Sequence, residues 1–251
     1  MAATSSRLFR FFALALAASS AACVTSPVYW PNSVNTPQVM RRGDVEGTMA
    51  VSAEGFTQLQ ASAAISSRLV VIANANYINA GCSACSKRIH HFAELGIGTY
   101  STDVDDKTVS YLAGFGMGSS DWVSRSFTSG PGLANLYRAT GDYARGFIQV
   151  GQVDRRDNYD VATALRISGV FFSDYNQYSL DSLTVQNSYN TPRTVKGHLW
   201  SFYAEPSVRI LWHVKSVRLG PMLGLAFPMN APPAFGHRPA MFHIGLDVGG
   251  H

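Results

Sequence analysis

The chain has 251 residues and a formal charge of +4, with 14% charged and 46% hydrophobic residues, including 14 Phe, 11 Tyr and 4 Trp. So apolar a composition excludes a disordered chain and argues against nucleic-acid binding, which wants a dense basic patch. Soluble domains carry roughly 25% charged residues, so the low charge is itself a signal.

In chain order, Arg7 and Arg10 precede the apolar run Phe11 to Ala18, followed by Ser19-Ser20-Ala21-Ala22 and then Cys23. A basic start, a short apolar core and small residues predict a secretory signal peptide over residues 1–22. The core is too short to cross a bilayer. Losing it removes Arg7 and Arg10 and lowers the formal charge to +2. Cys23 stands where a bacterial lipobox places its acylated cysteine, although Ser20 occupies the position usual for Leu. The alternative is an ordinary signal peptide cut near Ala22, with an incidental cysteine. Residues 23–42 begin CVTSPVYWPNSVN; their Pro, Ser and Asn predict an extended tether.

From residue 43 to 251 the period is two, not 3.6. Leu59, Ala61, Ala63 and Ile65 alternate with Gln58, Gln60 and Ser62; Phe242, Ile244, Leu246 and Val248 alternate with His243, Gly245, Asp247 and Gly249. This predicts strands near 44–55, 57–66, 68–78, 88–101, 107–118, 143–154, 158–173, 197–212, 215–228 and 237–249. Their connections alternate between short turns and mostly longer loops, notably 119–142 and 174–196. That asymmetry predicts an all-β, antiparallel, transmembrane up-and-down barrel of about ten strands, with eight as the alternative. Lipid offers no hydrogen bonds to an open sheet edge, so the sheet must close. An even strand number returns both ends of the barrel to the short-turn, periplasmic side, where a lipid on Cys23 is expected. The non-greasy face carries Glu46, Glu54, Glu94, Arg166, Glu205, Arg209 and Arg218. Tyr77, Tyr100, Tyr143, Phe172, Tyr175, Trp200, Trp212 and Phe227 lie near strand ends, as interfacial girdles would.

The segments Tyr29-Trp30-Pro31-Asn32, Asn35-Thr36-Pro37, Arg42-Gly43-Asp44, Gln60-Ala61-Ser62-Ala63 and Ile72-Ala73-Asn74 resemble the opening of a bacterial outer-membrane β-barrel lipoprotein family. Phe147-Ile148-Gln149, Leu165-Arg166 and Glu205-Pro206 extend the likeness. It implies a membrane barrel and brings no activity with it. The partners it implies are outer-membrane lipids and the outer-membrane insertion machinery.

Four constellations bear on chemistry. Cys82 and Cys85 predict a disulfide, the default outside the cytoplasm; a zinc site with His90 and His91 ranks far behind, because a strand sends those two to opposite faces. Gly96, Gly98, Gly114, Gly116 and Gly118 share strand faces and read as room for larger neighbours, not as a phosphate loop. Glu94, Arg166, Glu205, Arg209 and Arg218 form either an ion-selective constriction or an ion-pair plug, and a ten-stranded lumen favours the plug. His90, Asp174 and His198 are the residues a hydrolytic site at the rim would use, at a frequency chance alone explains. No nucleophile elbow, Walker sequence or zinc-protease helix motif occurs. The expectation is therefore a non-enzymatic outer-membrane lipoprotein without cofactor or metal, with a structural, surface-interaction or narrow-channel role. The alternatives are a rim hydrolase and a soluble periplasmic lipocalin-like carrier anchored by Cys23.

Overall fold

The computed structural model describes residues 29–52, 55–82, 86–103, 107–127, 134–180, 193–215, 217–230 and 240–250. The strands are β1 (Val45–Val51), β2 (Thr57–Ala64), β3 (Leu69–Cys82), β4 (Ser86–Thr102), β5 (Lys107–Phe127), β6 (Ala134–Arg155), β7 (Tyr159–Leu180), β8 (Arg193–Val214), β9 (Val217–Leu225), β10 (Phe227–Pro228) and β11 (Ala240–Gly250). Each pairs antiparallel with its neighbours, and β1 closes the ring against β11 through seven residue pairs, Val45–Gly250 to Val51–Ile244. The two-residue β10 continues β9 past Ala226 along the same strand, β8. The molecule is thus a closed ten-stranded antiparallel barrel, and closure removes every free edge.

The alternation lays the apolar set outward. Leu59, Leu95, Phe115, Met117, Ile148, Leu165, Ile244 and Leu246 are exposed, whereas Gln58, Gln60, Asn74, Glu94, Arg145, Gln149, Arg166, Glu205 and Asp247 are buried. A soluble barrel places these sets the other way round.

Four strands run far longer than the sequence suggested. β5 to β8 reach 21 or 22 residues, so much of 119–142 and 174–196 is strand instead of loop. A strand of about 9–11 residues spans a hydrocarbon core; the surplus projects beyond the long-loop end. The outward residues change character there. Along β5 they pass from Phe115 and Met117 to Ser119 and Asp121, and Asp121 pairs with Lys87 at 3.2 Å and with Arg138 of β6 at 3.3 Å. Hydrophobic periodicity fades once the outward residues turn polar, so alternation does not reveal these upper strand halves.

The aromatic expectation holds for half its members. Tyr77, Trp200, Trp212 and Phe227 face outward, but Tyr100, Tyr143, Phe172 and Tyr175 are buried inside. In β7 the register shifts between Phe172 and Tyr175, a bulge that turns both rings inward although they are three residues apart. Exposed Tyr111 and Tyr159 face outward near the short-turn end instead.

The chief departure concerns residues 23–42. From Tyr29 to Val39 this segment carries no regular secondary structure beyond a single bridge residue, and it is no external tether. Tyr29, Trp30, Asn32, Ser33, Val34, Asn35, Thr36, Gln38 and Val39 are all buried within the barrel.

Candidate functional site

The site is the lumen, in which the segment Tyr29–Val39 is buried. The chain enters at the short-turn end, where Met40 and Arg41 donate backbone N–H groups to Asp44 Oδ2 at 2.8 and 2.9 Å. Gln38 donates its N–H to Glu46 Oε2 at 2.8 Å, and Arg155 donates to the Gln38 carbonyl at 2.6 Å. Further in, Gln149 donates to the Asn35 carbonyl at 2.7 Å, and the Asn35 amide donates to Asn74 Oδ1 at 2.9 Å. Gln58 and Gln60 clamp Ser33: Gln58 accepts its N–H at 3.0 Å, and both glutamines donate to its carbonyl, at 2.9 and 2.6 Å. At the long-loop end Trp30 stacks on Phe56 at 5.7 Å and Tyr29 stacks on Tyr203 at 4.6 Å. An extended segment has no ladder of its own, so its buried backbone must borrow side-chain partners. Gln58 and Gln60 of β2, Gln149 and Arg155 of β6, Glu46 of β1 and Arg209 of β8 supply them.

Two charge clusters hold this segment. In the first, Glu94 receives Arg166 at 3.0 Å, Asn32 at 3.0 Å, Asn74 at 2.6 Å, and also Arg145. Tyr29 links that cluster to Glu205, donating its hydroxyl to Oε1 at 2.7 Å while accepting from Arg145 at 2.8 Å. Ser168 donates to the other Glu205 oxygen at 3.0 Å. In the second, Arg209 lies 3.2 Å from Glu46, and Arg218 lies 3.3 Å from both Asp160 and Asp247. Arg209 also reaches the Thr36 carbonyl at 3.2 Å, and Arg218 donates to the Gln38 side chain. The five residues singled out from sequence therefore fall into two groups, with Glu94, Arg166 and Glu205 in one and Arg209 and Arg218 in the other. Arg145, Glu46, Asp160 and Asp247 complete them. Arg145 was legible from its even spacing with Phe147 and Gln149; the segment that bridges both groups has no such periodicity.

The glycine stripe has a definite job. A Cβ on Gly96 would stand 3.0 Å from the Phe147 ring, one on Gly116 2.5 Å from Phe92, and one on Gly118 2.8 Å from Tyr143. With no side chains there, the rings lie against the wall, and Arg145 and Arg166 rest over Phe92 and Phe147 at 4.3 and 4.2 Å. The glycines make room for aromatic rings, which in turn seat the guanidiniums.

The remaining expected residues do not assemble. His90 is buried and bonds Tyr143 at 2.8 Å, whereas Asp174 and His198 are exposed on the barrel. His91 bonds Ser119 at 2.9 Å and is exposed. Among the described residues no group of three or more His, Cys, Asp or Glu is placed to hold a metal ion. Cys82 ends β3, while Cys85, Cys23 and Glu54 lie outside the described residues. One concavity of about 800 Å³ lies on the outer face, floored by Ala61, Ala75 and Ala93 and walled by Leu59, Leu95 and Phe115.

Comparison with family models finds no match, and comparison with curated proteins finds none. Among solved structures the chain is similar to the translocator domain of the autotransporter NalP from Neisseria meningitidis, at 8% identity and a TM-score of 0.43, over 98% of this chain and 95% of that one.

Proposed function

We propose that this chain is an outer-membrane β-barrel lipoprotein whose lumen is closed by its own N-terminal segment, and that its role is structural and surface-directed. The observation that carries this reading is the inverted barrel: large apolar residues cover the outside, and buried polar and charged side chains, interleaved with aromatic clusters, pack against Tyr29–Val39. An outward surface of Leu, Ile, Phe and Met is stable against acyl chains and is a liability in water.

The closed interior argues against the other roles. A channel needs a water-filled path, and here buried side chains and a polypeptide segment fill the lumen. A lipocalin-like carrier needs an open apolar cavity inside, and here the interior is occupied by Tyr29–Val39 and the buried charges that hold it. A rim hydrolase would need His90 at the surface, and His90 points inward. The strands that project past the greasy belt, β5 to β8, give the long-loop end a raised wall suited to contact with other molecules.

Two measurements test the reading. The purified chain should require detergent and should migrate faster unheated than heated on a gel, as folded membrane barrels do. In planar bilayers it should give no stable conductance steps. A Cys23→Ser chain that is folded and freely soluble without detergent overturns the membrane reading; steady open channels overturn the closed lumen.

A further inference from the structure

The direction of the buried segment carries a consequence for the N terminus. Gln38 lies at the short-turn end of the barrel, against Glu46, Arg155 and Arg218, and Asp44 holds Met40 and Arg41 beside it. Tyr29 and Trp30 lie at the opposite end, among Tyr143, Phe172, Tyr203, Phe56 and Trp122. Beside Tyr143, the outward residues of β6 pass from Ala144 to the exposed Asp142. Tyr29 therefore sits at the upper edge of the greasy belt. Nine residue steps at about 3.3 Å reach up to roughly 30 Å, enough to match the thickness of a hydrocarbon core.

Chain length decides where Cys23 can be. It lies six residues before Tyr29, a reach of at most about 20 Å. That is too short to double back across a core of about 30 Å, and the lumen is already filled. We infer that the segment threads the barrel from the periplasmic end to the outside, so that Cys23 and its lipid are presented at the long-loop rim, against the outer leaflet. The inference rests on the outer-membrane lipoprotein reading above and replaces the periplasmic anchor that even strand number alone suggests. A diacylglycerol group is also too bulky to pass through a packed lumen. The barrel must then close around the segment, with the β1–β11 seam as the last pairing to form, because β1 and β2 already hold Gln38 and Ser33 through Glu46, Gln58 and Gln60.

The test uses full-length chain in intact cells, with Cys82→Ser and Cys85→Ser as background and a membrane-impermeant maleimide as probe. Single cysteines go at Ser26→Cys before the buried segment, at Asp157→Cys in a short turn, and at Ser188→Cys in the connection after β7. The gel shift on heating checks that each variant is folded. Labelling of Ser26→Cys and Ser188→Cys in intact cells, with Asp157→Cys labelled only after lysis, is the expected result. Protection of Ser26→Cys while Ser188→Cys is labelled overturns the threaded topology and leaves the outer-membrane reading intact. Labelling of Asp157→Cys alone overturns it by inverting the barrel. Failure of every site to label before lysis, with no gel shift, overturns the outer-membrane reading itself. Mass spectrometry of the amino-terminal peptide from the parent chain checks the lipid; an unmodified Cys23 removes the lipid from the proposal.

Discussion

Tyr29 donates its hydroxyl to Glu205 at 2.7 Å and accepts from Arg145 at 2.8 Å, so one phenol from the threaded segment joins a carboxylate of β8 to a guanidinium of β6. These partners lie 176 and 116 residues away in sequence. Neither charge on the wall is fully satisfied by the wall alone. The barrel and its filling are therefore one folding unit, not a tube with an optional stopper.

Tyr29→Phe should test that statement. The ring and its stacking on Tyr203 remain, and only the bridging oxygen goes. Leaving a buried charged group short of a hydrogen bond costs about 1–3 kcal/mol. The temperature at which the folded gel band is lost should fall by several degrees, with the barrel still forming. An unchanged transition would mean that water replaces the hydroxyl and that the bridge is dispensable.

Glu94→Gln should be far more severe. Glu94 is the shared acceptor of two buried arginines and two asparagines. An amide cannot neutralise either guanidinium, and breaking one side of a buried ion pair typically costs about 3–5 kcal/mol. Urea unfolding in detergent micelles measures this. By contrast Arg138→Ala, in the exposed cluster with Asp121 and Lys87, should cost no more than about 1 kcal/mol, since solvent screens that pair. Equal effects at the two sites would contradict a buried, water-poor interior.

Glycines on opposite faces offer a second contrast. Gly116 faces Phe92 and Glu94, whereas nothing lies within 4 Å of a Cβ placed on Gly146. Gly116→Val forces the rings off the wall and should cost about 1–3 kcal/mol through overpacking. Gly146→Val adds a methyl-rich group to an open surface and should leave stability unchanged within about 0.5 kcal/mol. The midpoint of thermal band-shift loss for the two variants gives the comparison directly.

Much of the barrel was legible because closure and period two are dictated by the same hydrogen-bonding constraint. Gln58, Gln60, Glu94, Arg166 and Glu205 share one face by alternation, and the low overall charge together with the short-turn and long-loop asymmetry points that face inward. What stayed hidden has a physical cause in each case. Tyr175 sits after a bulge, where the period breaks. Asp121 and Arg138 lie on strand beyond the greasy belt, where the outer face turns polar and the contrast between the two faces weakens. The segment around Trp30-Pro31-Asn32 has no period because it has no sheet partner; it is held by side chains from across the lumen. A local signal did exist: two aromatics, Tyr29 and Trp30, are expensive to leave in water within a free tether, and their presence in an otherwise Pro- and Asn-rich stretch marks it for burial.

Leu95 is 68% exposed at mid-belt, between Ala93 and Ile97. On a water-facing strand, Leu95→Arg would be a harmless surface change within about 0.5 kcal/mol. Against acyl chains an arginine near the bilayer centre costs about 2–4 kcal/mol. Refolding Leu95→Arg into lipid vesicles should therefore give a lower folded yield and a lower urea midpoint than the parent, while Asp142→Arg, just above the belt, should fold as well as the parent. Identical midpoints for Leu95→Arg and the parent would show that the outward face meets water, and the threaded segment would then have to be explained in a soluble barrel.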